Sequence, residues 1–206
     1  MLNRTKYFRK LCLSGCFFVG MISLSSSANA QFIGINADYA IDYSAAPGKV
    51  SGYSVGISHP APFIPNIGYS SVSFEDKETI TDSSDNTVSL DTTTTIETIN
   101  LFYNVPFPVV TITVGFGYGA DNLNTGVETI TTIDQVTSNL ETSVTEAFFH
   151  IGLPFWNTVE FHLGYHFMSF SSIDITKSVN FQGKNYPTVK KSYSGGMTTI
   201  GVQVAF

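Results

Sequence analysis

The chain has 206 residues, 43% hydrophobic, 14% aromatic and only 13% charged, with a formal net charge of −6. That length suits a single domain, and the acidic balance repels nucleic acid rather than binding it. No run approaches the about 20 consecutive apolar positions that a membrane-spanning helix requires, which excludes a helical membrane protein.

In chain order, the first thirty residues differ in kind from the rest. Arg4, Lys6, Arg9 and Lys10 precede an apolar stretch from Leu11 to Leu24, and Ala28-Asn29-Ala30 follows. Charged, apolar and then small residues is the order of a secretory signal peptide, and cleavage is expected after Ala30. Leu13-Ser14-Gly15-Cys16 looks like a lipoprotein box. Only Leu11, Cys12 and Leu13 are apolar between Lys10 and that site, fewer than the about 7 to 15 residues an export signal uses. The chain thus divides into a signal peptide, 1 to 30, and one domain, 31 to 206. Both cysteines, Cys12 and Cys16, leave with the leader, so disulfides, thiolate nucleophiles and cysteine metal sites are excluded. Six lysines and no arginine remain against sixteen acidic residues, a formal charge of −10.

From Ile33 onward the chain alternates with period two. Ile33, Ile35, Ala37, Tyr39, Ile41 and Tyr43 oppose small or polar residues, and Tyr53, Val55 and Ile57 oppose Gly52, Ser54, Gly56 and Ser58. Ile99, Leu101, Tyr103 and Val105 repeat the pattern, as do Val110 to Tyr118 against Thr111, Thr113, Gly115 and Gly117. Ala147, Phe149, Ile151 and Leu153 oppose Glu146, His150 and Gly152, with Phe148 an exception on the polar side. Val159 to Phe167 oppose Glu160, His162, Gly164 and His166, and Ile200 to Phe206 oppose Thr199, Gly201, Gln203 and Ala205. In Ile67 to Phe74 the parity slips between Tyr69 and Val72, and a β-bulge at Ser70-Ser71 is expected there. That segment brings the count to eight strands.

A soluble antiparallel sheet also alternates. Here, however, the face opposite the large apolar residues carries Gly, Ser, Thr, Asn, Asp, Glu and His, too polar for a soluble core and suited to a lumen. The links near Pro62-Phe63, Pro106-Phe107 and Pro154-Phe155 are short, while those around 44 to 49, 76 to 87, 120 to 142 and 172 to 194 are mostly longer and polar. The fold class expected is all-β: an eight-stranded antiparallel up-and-down transmembrane β-barrel, with short turns in the periplasm and long loops outside. Phe63, Phe107, Phe155 and Trp156 would form the periplasmic aromatic girdle, with Tyr43, Tyr53 and Tyr118 at the outer interface. Val127 to Val136 has strand character and reads as an extension of strands five and six above the membrane. Together with Thr92 to Thr98 it would continue the ladder and offer an edge to another chain.

Thr199, Gly201, Val204 and the terminal Phe206 look like the pattern by which outer-membrane assembly machinery recognises its clients, with an aliphatic residue at Val204 where an aromatic is commoner. His59-Pro60-Ala61-Pro62-Phe63-Ile64-Pro65-Asn66-Ile67 resembles the first periplasmic turn of a family of small outer-membrane barrels of unassigned function, and Gly152-Leu153-Pro154-Phe155 is similar near the third. At the level of architecture, residues 31 to 206 resemble the OmpX and OmpA transmembrane-barrel class. The resemblance implies an outer-membrane address, contact with lipid and lipopolysaccharide, and no catalytic residues.

Glu146, His150, Glu160, His162 and His166 share the inward parity of two strands joined at Pro154 and form the candidate lumen cluster. His162 and His166, four apart in one strand, are about 13 Å apart and cannot clamp one metal alone. Glu146 with His166, and His150 with His162 or Glu160, are within cross-strand reach. A structural plug is the favoured reading, since polar groups in a narrow lumen must pair, and neither cofactor nor metal is expected. For a lipid-modifying enzyme the spacing of His166 and Ser169 is wrong and their parities differ; a small channel needs a lumen that eight strands do not leave open. Acidic, Thr-rich hairpins point instead to a structural or surface-interaction role, as a monomer with a possible protein partner. If the terminal pattern carries assembly information, deleting Phe206 lowers the folded amount far more than Phe116→Ala, measured as the fraction of heat-modifiable band in membranes.

Overall fold

The computed structural model describes residues 33–45, 50–61, 63–81, 85–123, 125–133, 136–156, 158–174 and 189–206. The expected leader lies outside them. Among the described residues twelve strands follow in order: β1 Gly34–Tyr43, β2 Val50–Ser58, β3 Asn66–Thr81, β4 Thr87–Pro106, β5 Thr111–Gly119, β6 Gly126–Ile133, β7 Val136–Thr142, β8 Val144–Trp156, β9 Val159–Phe170, β10 Ile173–Asp174, β11 Lys190–Lys191 and β12 Gly195–Ala205. Eight of them pair in the order β3-β2-β1-β12-β9-β8-β5-β4, and β4 pairs back onto β3, so the antiparallel wall closes on itself. The seam between the chain's two ends is sealed by β1 against β12, with Phe206 N–H donating to the Ile33 carbonyl at 2.8 Å. Closure leaves no edge with unpaired backbone groups in the hydrocarbon, the condition for a strand-built membrane span.

The alternation reads as expected over the lower part of the wall. Ile35, Val55, Ile57, Leu101, Phe116, Ile151 and Leu163 point outward and are about half exposed, while Asn36, Asp38, Ser54, Asn100, Thr113 and His162 point inward and are buried. Phe63, Phe107 and Phe155 are exposed near the short turns. Trp156 stands in β8, its side chain outside the description. Tyr39 and Tyr53 face each other across β1 and β2, and Tyr53 and Tyr69 lie with ring centroids 6.2 Å apart, forming part of the upper aromatic belt together with Tyr118.

Above that belt the polarity inverts, and two sequence expectations are corrected there. β3 has an unbroken register with both neighbours, so no bulge interrupts Ser70-Ser71. Val72 and Phe74 keep the inward parity of Ser70 and are almost fully buried, while Ser71, Ser73 and Glu75 take the outer face. The parity never slipped; the solvent did. Beyond the bilayer the outside is water, so the same strand puts its polar residues out and its apolar ones in, as a soluble sheet does. Tyr43 is likewise no interface residue. A register shift between Ala40 and Asp42 makes Ile41 the extra residue of a bulge, which turns Tyr43 inward to 1% exposure.

The result is a second, conventional core at the outer end, formed by Ala40, Tyr43, Val72, Phe74, Ile80, Leu90, Ile96, Val127, Ile133, Val144, Met168, Tyr193 and Met197. The wall that surrounds it is higher on one side. β4 pairs with β5 from Ile99 to Pro106 and with β6 from Leu90 to Glu97, and β6 pairs in turn with β7. The extension expected for strands five and six is therefore present, with an excursion between them. A 3-10 turn at Asp121–Leu123 loops out after β5, closed where Leu123 N–H and Thr125 N–H both donate to the Ala120 carbonyl, at 2.9 and 3.2 Å. Gly126, at φ +128°, then returns the chain to the β4 edge. Thr92 to Thr98 and Val127 to Ile133 thus belong to interior strands of a four-stranded sheet, β3-β4-β6-β7, and not to its edge: Thr92 to Glu97 and Val127 to Ile133 are paired on both sides, and Thr98 lies where β4 passes from β6 to β5.

The mouth below that sheet is covered by the chain entering β12. Tyr193 packs on Phe74 with centroids 5.0 Å apart, Phe74 packs on Tyr43 at 5.4 Å, and the Tyr43 hydroxyl donates to the Tyr193 carbonyl. The Tyr193 hydroxyl also donates to Asp76 at 2.8 Å, and the Lys191 ammonium reaches Asp76 and Glu78 at 2.7 and 2.8 Å. Burial works against the Asp76 charge, but the hydrogen bonds from Lys191 and Tyr193 and the positive charge of Lys191 outweigh it and hold the carboxyl below its usual range. Phe74→Ala removes the central ring of this cap and is expected to cost about 3 to 5 kcal/mol, as a buried aromatic does. Phe116→Ala, on the lipid face, should cost clearly less in the same urea titration in micelles.

Candidate functional site

The lumen cluster is placed by four neighbouring strands, β1, β12, β9 and β8. An eight-stranded barrel has an interior only wide enough for side chains to fill, and this one fits large polar groups by setting them opposite glycines. Asp38 pairs with Gly201, which pairs with His162; His150 pairs with Gly164, which pairs with Thr199. A Cβ at Gly201 would come to 2.5 Å from His162 Nε2, and one at Gly164 to 2.6 Å from His150 Cδ2. Gly115 makes the same room for Phe148, whose inward position breaks the polar pattern of β8 and supplies an apolar face for the His166 ring paired with it.

The expected pair of Glu146 and His166 forms at 2.5 Å through Nδ1, with both side chains fully buried. The second Glu146 oxygen accepts from the Thr98 hydroxyl. On its other side, His166 Nε2 lies 3.0 Å from His150 Nε2, a hydrogen bond in which one ring nitrogen donates and the other accepts. His150 also stacks on His162, with centroids 5.1 Å apart and planes 11° from parallel, and His166 stacks on Phe148 at 4.9 Å. Thr199 and Asn100 complete the surroundings: Thr199 Oγ1 is 3.4 Å from His166 Nε2, and Asn100 Nδ2 donates to Ser70 Oγ at 2.5 Å.

Glu160 stands apart from this group. It lies over the Cα of Gly152 toward the turn end, and His150 takes His162 as its stacking partner instead. The residue the sequence reading left out is Asp38, whose Oδ1 is 2.6 Å from His162 Nε2. Its inward parity on β1 was legible, but strand one meets strands eight and nine only through closure at β12. Gly201, the gap across which Asp38 reaches His162, was the available signal. The terminal residues Thr199, Gly201, Val204 and Phe206 line the seam strand or end it, and Phe206 is 69% exposed on the lipid side. Ser169 is exposed on the outer face of β9 while His166 is fully buried on the inner, so the two make no nucleophile and base pair.

No protein-family model matches the chain, and no curated protein matches it. Solved structures similar to it are outer-membrane barrels. Neisserial surface protein A is 13% identical with a TM-score of 0.48, covering 84% of this chain and 96% of that one. The N-terminal β-barrel domain of Pseudomonas aeruginosa OprF is 11% identical with a TM-score of 0.46, over the same shares. The Escherichia coli outer membrane protease OmpT is 10% identical with a TM-score of 0.44, covering 76% of this chain and 64% of that one. At this identity and superposition the likenesses say nothing of activity or partner, and the fold stands on the strand pairing described above.

If the glycines are space-holders, Gly164→Val and Gly117→Val should each lose most of the folded barrel. Gly34→Ala, where the added carbon meets only the side chains of Ser58 and Gln203, at 2.9 and 3.4 Å, should lose less. The check is the heat-modifiable fraction after refolding into micelles.

Proposed function

We propose that this chain is an integral outer-membrane barrel, exported by a cleaved leader, closed to diffusion, and acting as a monomer through the sheet it raises above the bilayer. The observation that carries this reading is the inversion of polarity above the tyrosine belt. β3 and β4 continue past the membrane and, with β6 and β7 beside them, stand on a core of their own, with Glu75, Lys77, Asp91, Thr93 and Thr95 on the outer face of β3 and β4. A barrel that served only as an anchor would need neither the added sheet nor that core.

Closure is supported twice along the lumen, by the polar plug around Glu146 and His166 and by the Tyr43, Phe74 and Tyr193 rings above it. The edge favoured for a protein partner is β7, whose backbone pairs with β6 on one side and with no other strand among the described residues. Main-chain hydrogen bonding along such an edge is how an added strand is recognised. The acidic outer face disfavours anionic partners and makes any contact salt-sensitive. A catalytic reading finds no support in the arrangement of Ser169 and His166.

The test joins two measurements on the full chain. Planar bilayers should show no steady conductance, and removing residues 126 to 142 should leave a heat-modifiable band in outer membranes while abolishing adhesion of expressing cells. Steady conductance through the intact chain, or adhesion indifferent to the deletion, overturns the reading.

A further inference from the structure

We propose that Asp38, His150 and His162 form an internal binding site for one divalent first-row transition ion of the zinc type, which ties the seam strand β1 to β8 and β9. The three residues come from three strands, all are buried, and one ligand atom from each lies within 4.8 Å of the others. Two imidazoles and a carboxylate match the ligand preferences of zinc and its neighbours, whereas calcium and magnesium favour oxygen alone.

Three further observations point to a cation. First, Asp38 Oδ2 is buried without a hydrogen-bond partner, although a fully satisfied plug would have paired it. Second, the lumen carboxylates have no lysine or arginine beside them among the described residues: Asp38 meets His162, and Glu146 meets His166 and Thr98. The mature chain contains no arginine at all. A negative charge in so dry a space needs either a proton or a metal. Third, a supporting shell is present. His150 is held by His166, itself oriented by Glu146, the carboxylate and imidazole arrangement that typically steadies a metal-binding ring.

Zinc bonds to nitrogen and oxygen are about 2.0 to 2.2 Å long, so tetrahedral ligands stand about 3.3 Å apart. Binding therefore draws in the widest separation, which is up to 4.8 Å, and opens the 2.6 Å contact of His162 with Asp38. The rings of His150 and His162 lie directly over Gly164 and Gly201, with no side chain between ring and backbone. The metal takes the place of the hydrogen between His162 and Asp38, and that proton is released on binding.

The experiment refolds the full chain into detergent micelles with cobalt(II), whose visible absorption separates a tetrahedral site containing imidazole from weakly absorbing carboxylate or solvent coordination. One cobalt per barrel is expected, with the absorption of a four-coordinate imidazole site and displacement by zinc. His150→Ala and His162→Ala should weaken binding at least about tenfold. His59→Ala removes the one histidine outside the lumen, whose ring hydrogen-bonds Pro65 at the first short turn, and should change nothing. Should the lumen variants not fold, the His59→Ala chain still decides, because its only imidazoles are His150, His162 and His166. A folded barrel that takes up no cobalt, a spectrum without imidazole character, binding lost in His59→Ala, or binding unchanged in both lumen variants overturns the proposal.

Discussion

The outside of this wall meets hydrocarbon over one part of its height and water over the next, and that change of solvent along a single strand governs the rest of the structure. In hydrocarbon a backbone amide has no partner except another strand, so the sheet must close, and it does so at two junctions: β3 with β4, and β1 with β12. Below the tyrosine belt the apolar side chains go outward because lipid receives them. Above it water does not, and the same period-two backbone carries Val72, Phe74, Leu90 and Ile96 inward instead. Burying each such side chain stabilises by about 1.5 to 3 kcal/mol, enough for a row of them to hold a sheet together outside the membrane.

The second constraint is the width of the lumen. Eight strands leave no space for bulk water, so every inward polar group must be satisfied by another side chain or by a bound species. Long residues are accommodated against glycines, and the rings stack in two pairs, His150 on His162 and His166 on Phe148, that meet at a tilt. Charge in that group is balanced locally: the carboxylates of Asp38 and Glu146 are set against histidines, and Asp38 Oδ2, a charged oxygen buried without a hydrogen-bond partner, gives the group a capacity for a cation. A plug of this kind is stiff because each member fixes its neighbour, and the loss of any one leaves a buried partner unpaired.

Stiffness below allows reach above. The β3-β4 hairpin is paired without interruption from the membrane to its tip, and the excursion at 120 to 125 sets β6 and β7 beside it. Lys191 and Tyr193 pin the last outer connection across the mouth to Asp76, so the cap and the raised sheet share one core.

Alternation, strand count, turn lengths and the inward parity of the Glu and His residues were all legible in the sequence, because each depends on neighbours along one strand or across one short turn. The pairing of Glu146 with His166 was legible for the same reason, their strands being joined at Pro154. Three things were not. Parity says which residues share a face but not whether that face meets lipid or water, so Val72 and Phe74 looked like a slipped register when they were a change of surroundings. A single inserted residue, Ile41, leaves no mark in composition, yet it turned Tyr43 from the belt into the core. Finally, Asp38 lies 124 positions from His162, and only the stagger at which the first strand meets the last brings them together. Local pattern is a property of the chain; height in the bilayer and the register of closure are properties of the closed barrel, and they decided which of its polar residues became a site.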